Sequence, residues 1–413
     1  MSLFGDLIST VFERRYLSSL SGQSDKRPPQ ELAIDLLGNH GEVSGGTLAT
    51  LILDRYAAMD IDQKRAFFEF MTHELEIDPE QVIATLEAYK EMPSKGSYLA
   101  FAAACEPRRQ ELARRLNQVP GATGQLVAMR KDLLGLLRDH PDLAPLDVDF
   151  KHLFSSWFNR GFLVLRPINW SSPAEILDKI IAYEAVHAID SWDDLRRRLQ
   201  PADRRCYGLF HPAMADEPLI FVEVALTRGV PNSVQVLLAD GRDSITAQEA
   251  DTAVFYSISN CQAGLAGISF GNSLIKQVVS DLSRDLPALS NFVTLSPIPG
   301  LNRWLDANAQ AKPDTPEGEQ AVAARYLLEA KRADGLPVDP VARFHLGNGA
   351  QVHAVHAGAD ISENGMAQSN GAMVNYLYDP SQITKNHEKF ATEKTVVASS
   401  EVRALSALAD NDS

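Results

Sequence analysis

The stretch FYSISNCQAGLAGISFGNSLIKQVVSDLSRDLPALSNFVTLSPIPG, residues 255–300, indicates how the second part of the chain folds. A β-type run at residues 254–258 leads into a loop with three glycines. A helical pattern covers about residues 272–286, and a second β-type run covers residues 292–295. Glycines before a helix let backbone N–H groups face outward, and the helix start carries partial positive charge. The stretch predicts strand, loop, helix and strand, with a phosphate site or an ordinary turn at the loop.

The rest of the second part alternates short apolar runs with helical patterns. Runs rich in Val, Ile, Leu and Phe predict strands at residues 219–226 and 234–238. A short apolar run with β character covers residues 162–165, and residues 373–378 predict another strand. Residues 172–175 have the pattern of a capping box with proline at the first helical position. Residues 306–319 are polar, contain Pro and Gly, and predict an exposed loop. This alternation predicts a mixed α+β domain over residues 161–413.

The first 160 residues have the pattern of helices joined by short turns. Asp78 can cap a helix that starts with Pro79 and has Gln81 at its third position. Further helical patterns cover roughly residues 98–116, 124–137 and 148–158, and no strand alternation precedes residue 162. We therefore predict an all-α domain over residues 1–160. Such a domain commonly supports a catalytic domain or packs against another subunit.

Composition restricts the class of protein. The net charge of −15 over 413 residues argues against a general nucleic-acid binder, which needs surplus Lys and Arg. Three cysteines are too few for a disulfide framework. No apolar run approaches the roughly 20 residues of a membrane span. The first residues lack the basic start and unbroken apolar stretch of a signal peptide, so we expect a cytoplasmic protein without a membrane or nucleic-acid partner.

Ser296 and His345 are the candidate functional side chains. Ser296 precedes Pro297 at the end of a predicted strand, where a hydroxyl can point into a cleft or simply cap a turn. The Gly-x-Ser-x-Gly pattern of many hydrolases is not present around Ser296, so a Ser-His-Asp hydrolase is disfavoured. His345 lies in FHLGNGA, which we interpret as a loop, and histidine exchanges protons near neutral pH. A structural histidine is the alternative.

Other side chains are assigned to packing or to the surface. His353 and His356 have a helix-like spacing and no third ligand nearby, which disfavours a metal site. Tyr376 and Tyr378 share one face of the predicted strand 373–378, which favours core packing. We therefore predict no metal and no cofactor.

Several motifs in order resemble the malonyl-CoA decarboxylase family. They are YSISNCQAGLAGISFGNSLIKQVV, FVTLSPIPG, FHLGNGA and GAMVNYLY, preceded by RPINWSSPAEIL and CYGLFHPAMADEPLIFVEVAL. The likeness covers roughly residues 160–390. It implies a GNAT-like (acyl-CoA acyltransferase) fold for the second domain and a helical first domain that supports a homo-oligomer, a dimer or tetramer. It also implies that Ser296 and His345 are catalytic.

The resemblance further implies where coenzyme A binds. Its pyrophosphate would lie on the loop and helix start formed by Ala266, Gly267, Ile268, Ser269, Phe270, Gly271 and Asn272. Malonyl-CoA would lose CO₂ through a thioester enolate and leave as acetyl-CoA. Ser296 would orient the malonyl group, and His345 would donate the proton or stabilise the enolate. The alternatives are an acyl-CoA-dependent N-acyltransferase and a non-catalytic acyl-CoA-binding regulator.

Overall fold

The computed structural model describes residues 25–38, 41–268, 274–310 and 312–408. Contacts between residues divide the chain into two compact units. The helical unit comprises Met1–Leu163, His211–Ala215 and Gln262–Ser269. The sheet unit comprises Val164–Phe210, Asp216–Cys261 and Phe270–Ser413.

The helical unit is built from α-helices throughout residues 25–38 and 41–158. They are α1 Pro29–Leu36, α2 Glu42–Ala57, α3 Ile61–His73, α4 Pro79–Glu91, α5 Lys95–Ala104, α6 Arg108–Leu116, α7 Ala122–Leu136 and α8 Ala144–Trp157. The predicted start of α4 is confirmed, because the Asp78 carboxylate accepts from the amides of Glu80 and Gln81. The pattern at residues 98–116 is divided between α5 and α6, because Pro107 caps α6 and has no amide hydrogen to continue a helix.

Helix α3 supplies a large part of the core of this unit, whereas α4 and α5 stay at its surface. Phe67, Phe68 and Met71 of α3 are fully buried. In contrast, α4 and α5 have no buried residue. Tyr89 of α4 stacks against Phe101 of α5, so the two helices form a hairpin with its own aromatic contact.

The sheet unit holds eight strands and the remaining helices. The strands are β1 Val164–Ile168, β2 Arg204–His211, β3 Met214–Thr227, β4 Thr252–Asn260, β5 Asn291–Thr294, β6 Ser296–Pro297, β7 Gln351–His356 and β8 Met373–Leu377. The helices are α9 Ala174–Tyr183, α10 Trp192–Leu199, α11 Val234–Leu238, α12 Leu274–Asp285, α13 Leu301–Ala307, α14 Pro316–Glu329, α15 Pro340–Gly347, α16 Glu363–Ser369, α17 Ile383–Glu393 and α18 Ser400–Leu408.

The strands form one mixed sheet in the order β1-β2-β3-β4-β5-β8-β6, with β7 pairing β8. Strands β4 and β5 run parallel, from Thr252 opposite Asn291 to Phe255 opposite Thr294. The pairs β1–β2, β3–β4, β5–β8, β6–β8 and β7–β8 are antiparallel. The helical first part and the α+β second part are thus confirmed.

Two clusters of apolar side chains can be traced among the described residues of the sheet unit. Residues of α9 and α10 pack with Cys206, Phe210 and Phe221 of the sheet. A second cluster joins residues of β4, β5 and β8 with Val234 and Leu237 of α11. No helix in the described part of the chain is long and apolar enough to cross a membrane.

Three local predictions outside the candidate site are wrong. Residues 234–238 form helix α11 rather than a strand, because Val234 and Leu237 are buried at a helical spacing while Val236 is exposed. The capping box at residues 172–175 is absent, since α9 begins at Ala174 and the Ser172 hydroxyl accepts from the Asn169 amide. The polar loop at 306–319 is shorter than predicted, because Thr315 caps α14.

Candidate active site

Ser296 and His345 are in contact inside the sheet unit. The Ser296 Oγ lies 3.2 Å from His345 Nε2, although 49 residues separate them in the chain. Both side chains are buried, with exposed fractions of 5% and 2%. The structure therefore brings together the two residues that the sequence selected.

A short strand positions Ser296. In β6, Ser296 lies opposite Val374 of β8, and Pro297 lies opposite Met373. Proline has no amide hydrogen to give to a sheet, so pairing ends at this residue. Ser296 is thus the first residue of this two-residue strand and follows the end of β5 at Thr294.

His345 is on a helix and not in a loop, which corrects the prediction. Asp339 caps the start of α15 by accepting from the Ala342 amide, and Pro340 occupies the first helical position. Asp339-Pro340 is a helix start signal that the sequence interpretation overlooked. The residues after His345 form only the end of α15, where Gly349 has a positive φ of 87°.

Tyr376 and Tyr378 surround the imidazole of His345. The Tyr378 hydroxyl lies 2.8 Å from His345 Nδ1. The ring of Tyr376 stacks on the imidazole with the ring centres 4.6 Å apart. Both tyrosines are fully buried. The packing role fits Tyr376, but Tyr378 also has a polar contact that the sequence analysis missed.

Thr294 is a further member of the cluster that the sequence analysis missed. Its fully buried hydroxyl oxygen accepts from Ser296 Oγ at 2.8 Å and from the Tyr376 amide at 3.1 Å. Its carbonyl oxygen accepts from Asn375 Nδ2 at 2.7 Å. The spacing of Thr294 and Ser296 could have revealed this contact, because residues two apart on an extended chain share a face.

The directions of these bonds determine which nitrogen of His345 carries hydrogen. Ser296 has one hydroxyl hydrogen and gives it to Thr294. The contact with His345 is then a hydrogen bond in the tautomer that carries hydrogen on Nε2, with the serine oxygen as acceptor. Burial lowers the pKa of His345 to about 3, so the ring is neutral near pH 7. A neutral ring with hydrogen on Nε2 accepts at Nδ1, where Tyr378 donates.

Three buried polar atoms near this cluster have no hydrogen-bond partner. They are Tyr376 Oη, Tyr326 Oη and Asp339 Oδ2. A methyl group on Gly300 would lie 2.2 Å from Tyr326 Oη and 3.9 Å from Asp339 Oδ2, so both atoms adjoin this glycine. Burial raises the pKa of Asp339 to about 6. Unpartnered buried groups of this kind suit a water molecule or the polar end of a ligand.

The predicted phosphate loop is described only in part. Ala266, Gly267 and Ile268 belong to the helical unit, and Gly267 has a positive φ of 76°. The amine of Lys151 lies beside it, because a Cβ on Gly267 would be 3.2 Å from Lys151 Nζ. Lysine is a common phosphate ligand, and the sequence analysis missed it. Ser269, Phe270, Gly271 and Asn272 lie outside the described residues.

Helix α7 holds the first half of this loop. Arg130 Nη1 donates to the carbonyls of Gly264 and Ala266 at 2.7 and 2.9 Å. A Cβ on Gly264 would lie 1.9 Å from the Val127 carbonyl oxygen, so only glycine fits there. Gly264 therefore serves close packing, whereas Gly267 serves the turn.

Comparisons with known proteins cover both parts of the chain. A family model described as the malonyl-CoA decarboxylase C-terminal domain matches residues 161–320 and 317–413. The model of the N-terminal domain of the same family matches residues 75–158. Among curated proteins, the mitochondrial malonyl-CoA decarboxylase of Anser anser anser is 34% identical over 347 residues, 72% of this chain and 69% of that protein. That of Mus musculus is 32% identical over 358 residues, 74% and 73% of the two chains.

Solved structures give a similar result. The crystal structure of malonyl-CoA decarboxylase from Rhodopseudomonas palustris is 47% identical with a TM-score of 0.85, and covers 94% of this chain and 100% of that one. The structure from Agrobacterium vitis is also 47% identical with a TM-score of 0.85, and covers 91% and 99% of the two chains.

Proposed function

Since the chain belongs to the malonyl-CoA decarboxylase family, we propose that it converts malonyl-CoA to acetyl-CoA and CO₂. The family model of the C-terminal domain spans both Ser296 and His345. The observation that carries the proposal is the buried contact between Ser296 Oγ and His345 Nε2 within that domain.

The reaction needs orientation, hydrogen-bond donors and one proton. The bond between the carboxylate carbon and the α-carbon breaks, and its electron pair moves into the thioester carbonyl. This step releases CO₂ and leaves an enolate, which then takes a proton on the α-carbon. Donors placed at the thioester oxygen stabilise the developing negative charge, and they act most strongly where water is excluded.

His345 supplies a donor in the proposed mechanism. Its neutral ring presents the Nε2 hydrogen toward Ser296, the position proposed for the malonyl group. A neutral imidazole can stabilise an enolate oxygen in this form. The ring can also pass its Nε2 hydrogen to the α-carbon while Nδ1 takes the hydroxyl hydrogen of Tyr378. Because Tyr378 is fully buried, its proton is restored from solvent through the emptied substrate site after product release, so the protons balance.

Ser296 orients the malonyl group in this proposal. When substrate binds, its hydroxyl hydrogen is shared between Thr294 and the malonyl carboxylate or thioester oxygen. The serine is not a nucleophile here, because His345 donates to its oxygen instead of removing its proton. The hydroxyls of Tyr326 and Tyr376 are further candidate donors, as neither has a partner.

The coenzyme A pyrophosphate is proposed to bind at residues 266–272. Lys151 beside Gly267 supports this assignment, because the amine adds positive charge next to the described part of the loop. The contributions of Ser269, Phe270, Gly271 and Asn272 remain predictions from the family resemblance.

A single assay distinguishes the candidate functions. Purified protein is incubated with malonyl-CoA without any amine acceptor, and thioesters and CO₂ are quantified by mass spectrometry. Equal amounts of acetyl-CoA and CO₂ support the decarboxylase. Acyl transfer that appears only with an amine identifies an N-acyltransferase, and binding without turnover identifies a regulator.

We also propose that residues 1–160 form a domain that assembles a homo-oligomer, a dimer or tetramer, and that residues 161–413 form the catalytic domain. The surface position of the α4–α5 hairpin supports the assembly role. Exposed apolar side chains there include Ile83, Met92, Tyr98 and Leu99. A cytoplasmic location also remains a prediction.

A further inference from the structure

Thr294 holds the Ser296 hydroxyl in one orientation. Strand β5 ends at Thr294, and β6 begins two residues later with Ser296. The Thr294 oxygen accepts the Ser296 hydroxyl hydrogen at 2.8 Å and the Tyr376 amide hydrogen at 3.1 Å. An amide can only donate, so that second bond fixes the threonine oxygen as an acceptor on the Tyr376 side.

This acceptor controls the hydrogen bonds further along the cluster. With the serine hydrogen on Thr294, His345 must carry its hydrogen on Nε2. Without the acceptor, the serine hydroxyl is free to donate to Nε2, and the hydrogen of the neutral ring moves to Nδ1. Nδ1 would then donate to Tyr378, and Nε2 would face the site as an acceptor.

We propose that Thr294 is a positioning residue that keeps the Nε2 hydrogen of His345 directed into the active site. This inference rests on the proposed decarboxylation, in which Nε2 donates to the enolate. Thr294 acts through Ser296 and His345 and need not contact the substrate.

The test compares two substitutions at Thr294 with a control. Thr294→Val keeps the shape and removes the acceptor. Thr294→Ser keeps the acceptor. Thr252→Val removes another fully buried threonine hydroxyl, which donates to Asp251 Oδ1 at the other end of the β4–β5 pairing. Thr294→Val also leaves the Tyr376 amide without its acceptor, so each variant's folded fraction is measured by urea denaturation.

Steady-state kinetics with malonyl-CoA give the primary readout. For folded Thr294→Val we expect kcat to fall about 10- to 100-fold with little change in KM, since general acid–base catalysis contributes about 10²- to 10⁴-fold. The solvent deuterium isotope effect on kcat should rise, because proton delivery becomes slower. Thr294→Ser should restore both quantities, and Thr252→Val should leave both at the wild-type value.

Three results would overturn the role of Thr294. The first is a wild-type kcat in folded Thr294→Val. The second is a loss of kcat in Thr294→Ser as large as that in Thr294→Val. The third is an equally large loss of kcat in Thr252→Val. Failure of the underlying function is seen separately, as wild-type protein that forms no acetyl-CoA from malonyl-CoA.

Discussion

At the scale of single residues, burial gives His345 an ionisation unlike that of a histidine in water. The ring is fully enclosed, and no charged group is needed to explain its lowered pKa of about 3. A histidine in water gains its proton near pH 6.5, whereas His345 stays neutral at that pH. If decarboxylation depends on the neutral ring, kcat should show no acid limb from His345 between pH 5 and 8.

Removing either partner of the central contact should abolish most turnover. We expect Ser296→Ala and His345→Asn each to lower kcat by about two or more orders of magnitude. His353→Asn is the matched control, since this half-buried histidine lies on β7 outside the cluster. Circular dichroism verifies folding before the kinetics. Near-normal turnover in a folded His345→Asn protein would remove this histidine from the mechanism.

The buried carboxyl of Glu223 should make stability depend on pH. Burial, with the nearby charge of Glu184, raises the pKa of Glu223 to about 8, although Arg198 Nη1 lies 3.4 Å away. The folded-state pKa lies above the unfolded value of 4.5, so the stabilisation is complete below pH 4.5 and is lost as pH rises through 8.

Glu223→Gln removes this titration. The free energy of unfolding of the wild type, relative to Glu223→Gln, should therefore decrease between pH 6 and pH 9. Urea denaturation at both pH values measures it, with Glu217→Gln on the same strand as control. A wild-type minus variant difference that stays constant with pH would show that Glu223 is ionised throughout.

At the scale of elements, helices and strands that depend on neighbouring residues could be predicted from the sequence, whereas contacts between distant residues could not. The start of α4 follows from Asp78 and Pro79, which act within one turn of helix. The strand β8 was also found from local pattern. Residues 234–238 were misassigned because an apolar run of five residues suits a strand and a buried helix face equally.

The contacts between the residues of the site cannot be predicted from such local patterns. Tyr378 touches His345 only because β8 pairs with β5 and because α15 packs close to it. Thr294 contacts Ser296 locally, but its importance depends on His345, which is 51 residues further along the chain. The family resemblance identified Ser296 and His345, whereas their partners required the structure.

Lys151 on α8 tests the proposed phosphate loop. We expect Lys151→Met to raise KM for malonyl-CoA several-fold with little change in kcat, because a charge beside Gly267 is lost while the Ser296–His345 cluster is left unchanged. The rise should shrink at high salt, which screens charge. Lys131→Met on the neighbouring α7 is the control. An unchanged KM in Lys151→Met at low salt would argue against pyrophosphate at this loop.

At the scale of the whole molecule, the α4–α5 hairpin is the surface we expect to join subunits. Its helices have exposed apolar residues and no buried ones, which is costly for a surface facing only water. Leu99→Asp should therefore lower the mass measured by light scattering. Val236→Asp, at an equally apolar exposed position of α11, should leave the mass unchanged. Unaltered mass in Leu99→Asp would place the interface elsewhere.

Strand β8 connects four of the five side chains of the site. It carries Tyr376, precedes Tyr378, and pairs with both β5 and β6, which carry Thr294 and Ser296. Because these strands are paired, we expect a displacement of β8 to move the four side chains together. Only His345 arrives from a different element, α15. The distances from the His345 ring to Ser296, Tyr376 and Tyr378 are thus the ones that change when helix α15 moves relative to the sheet.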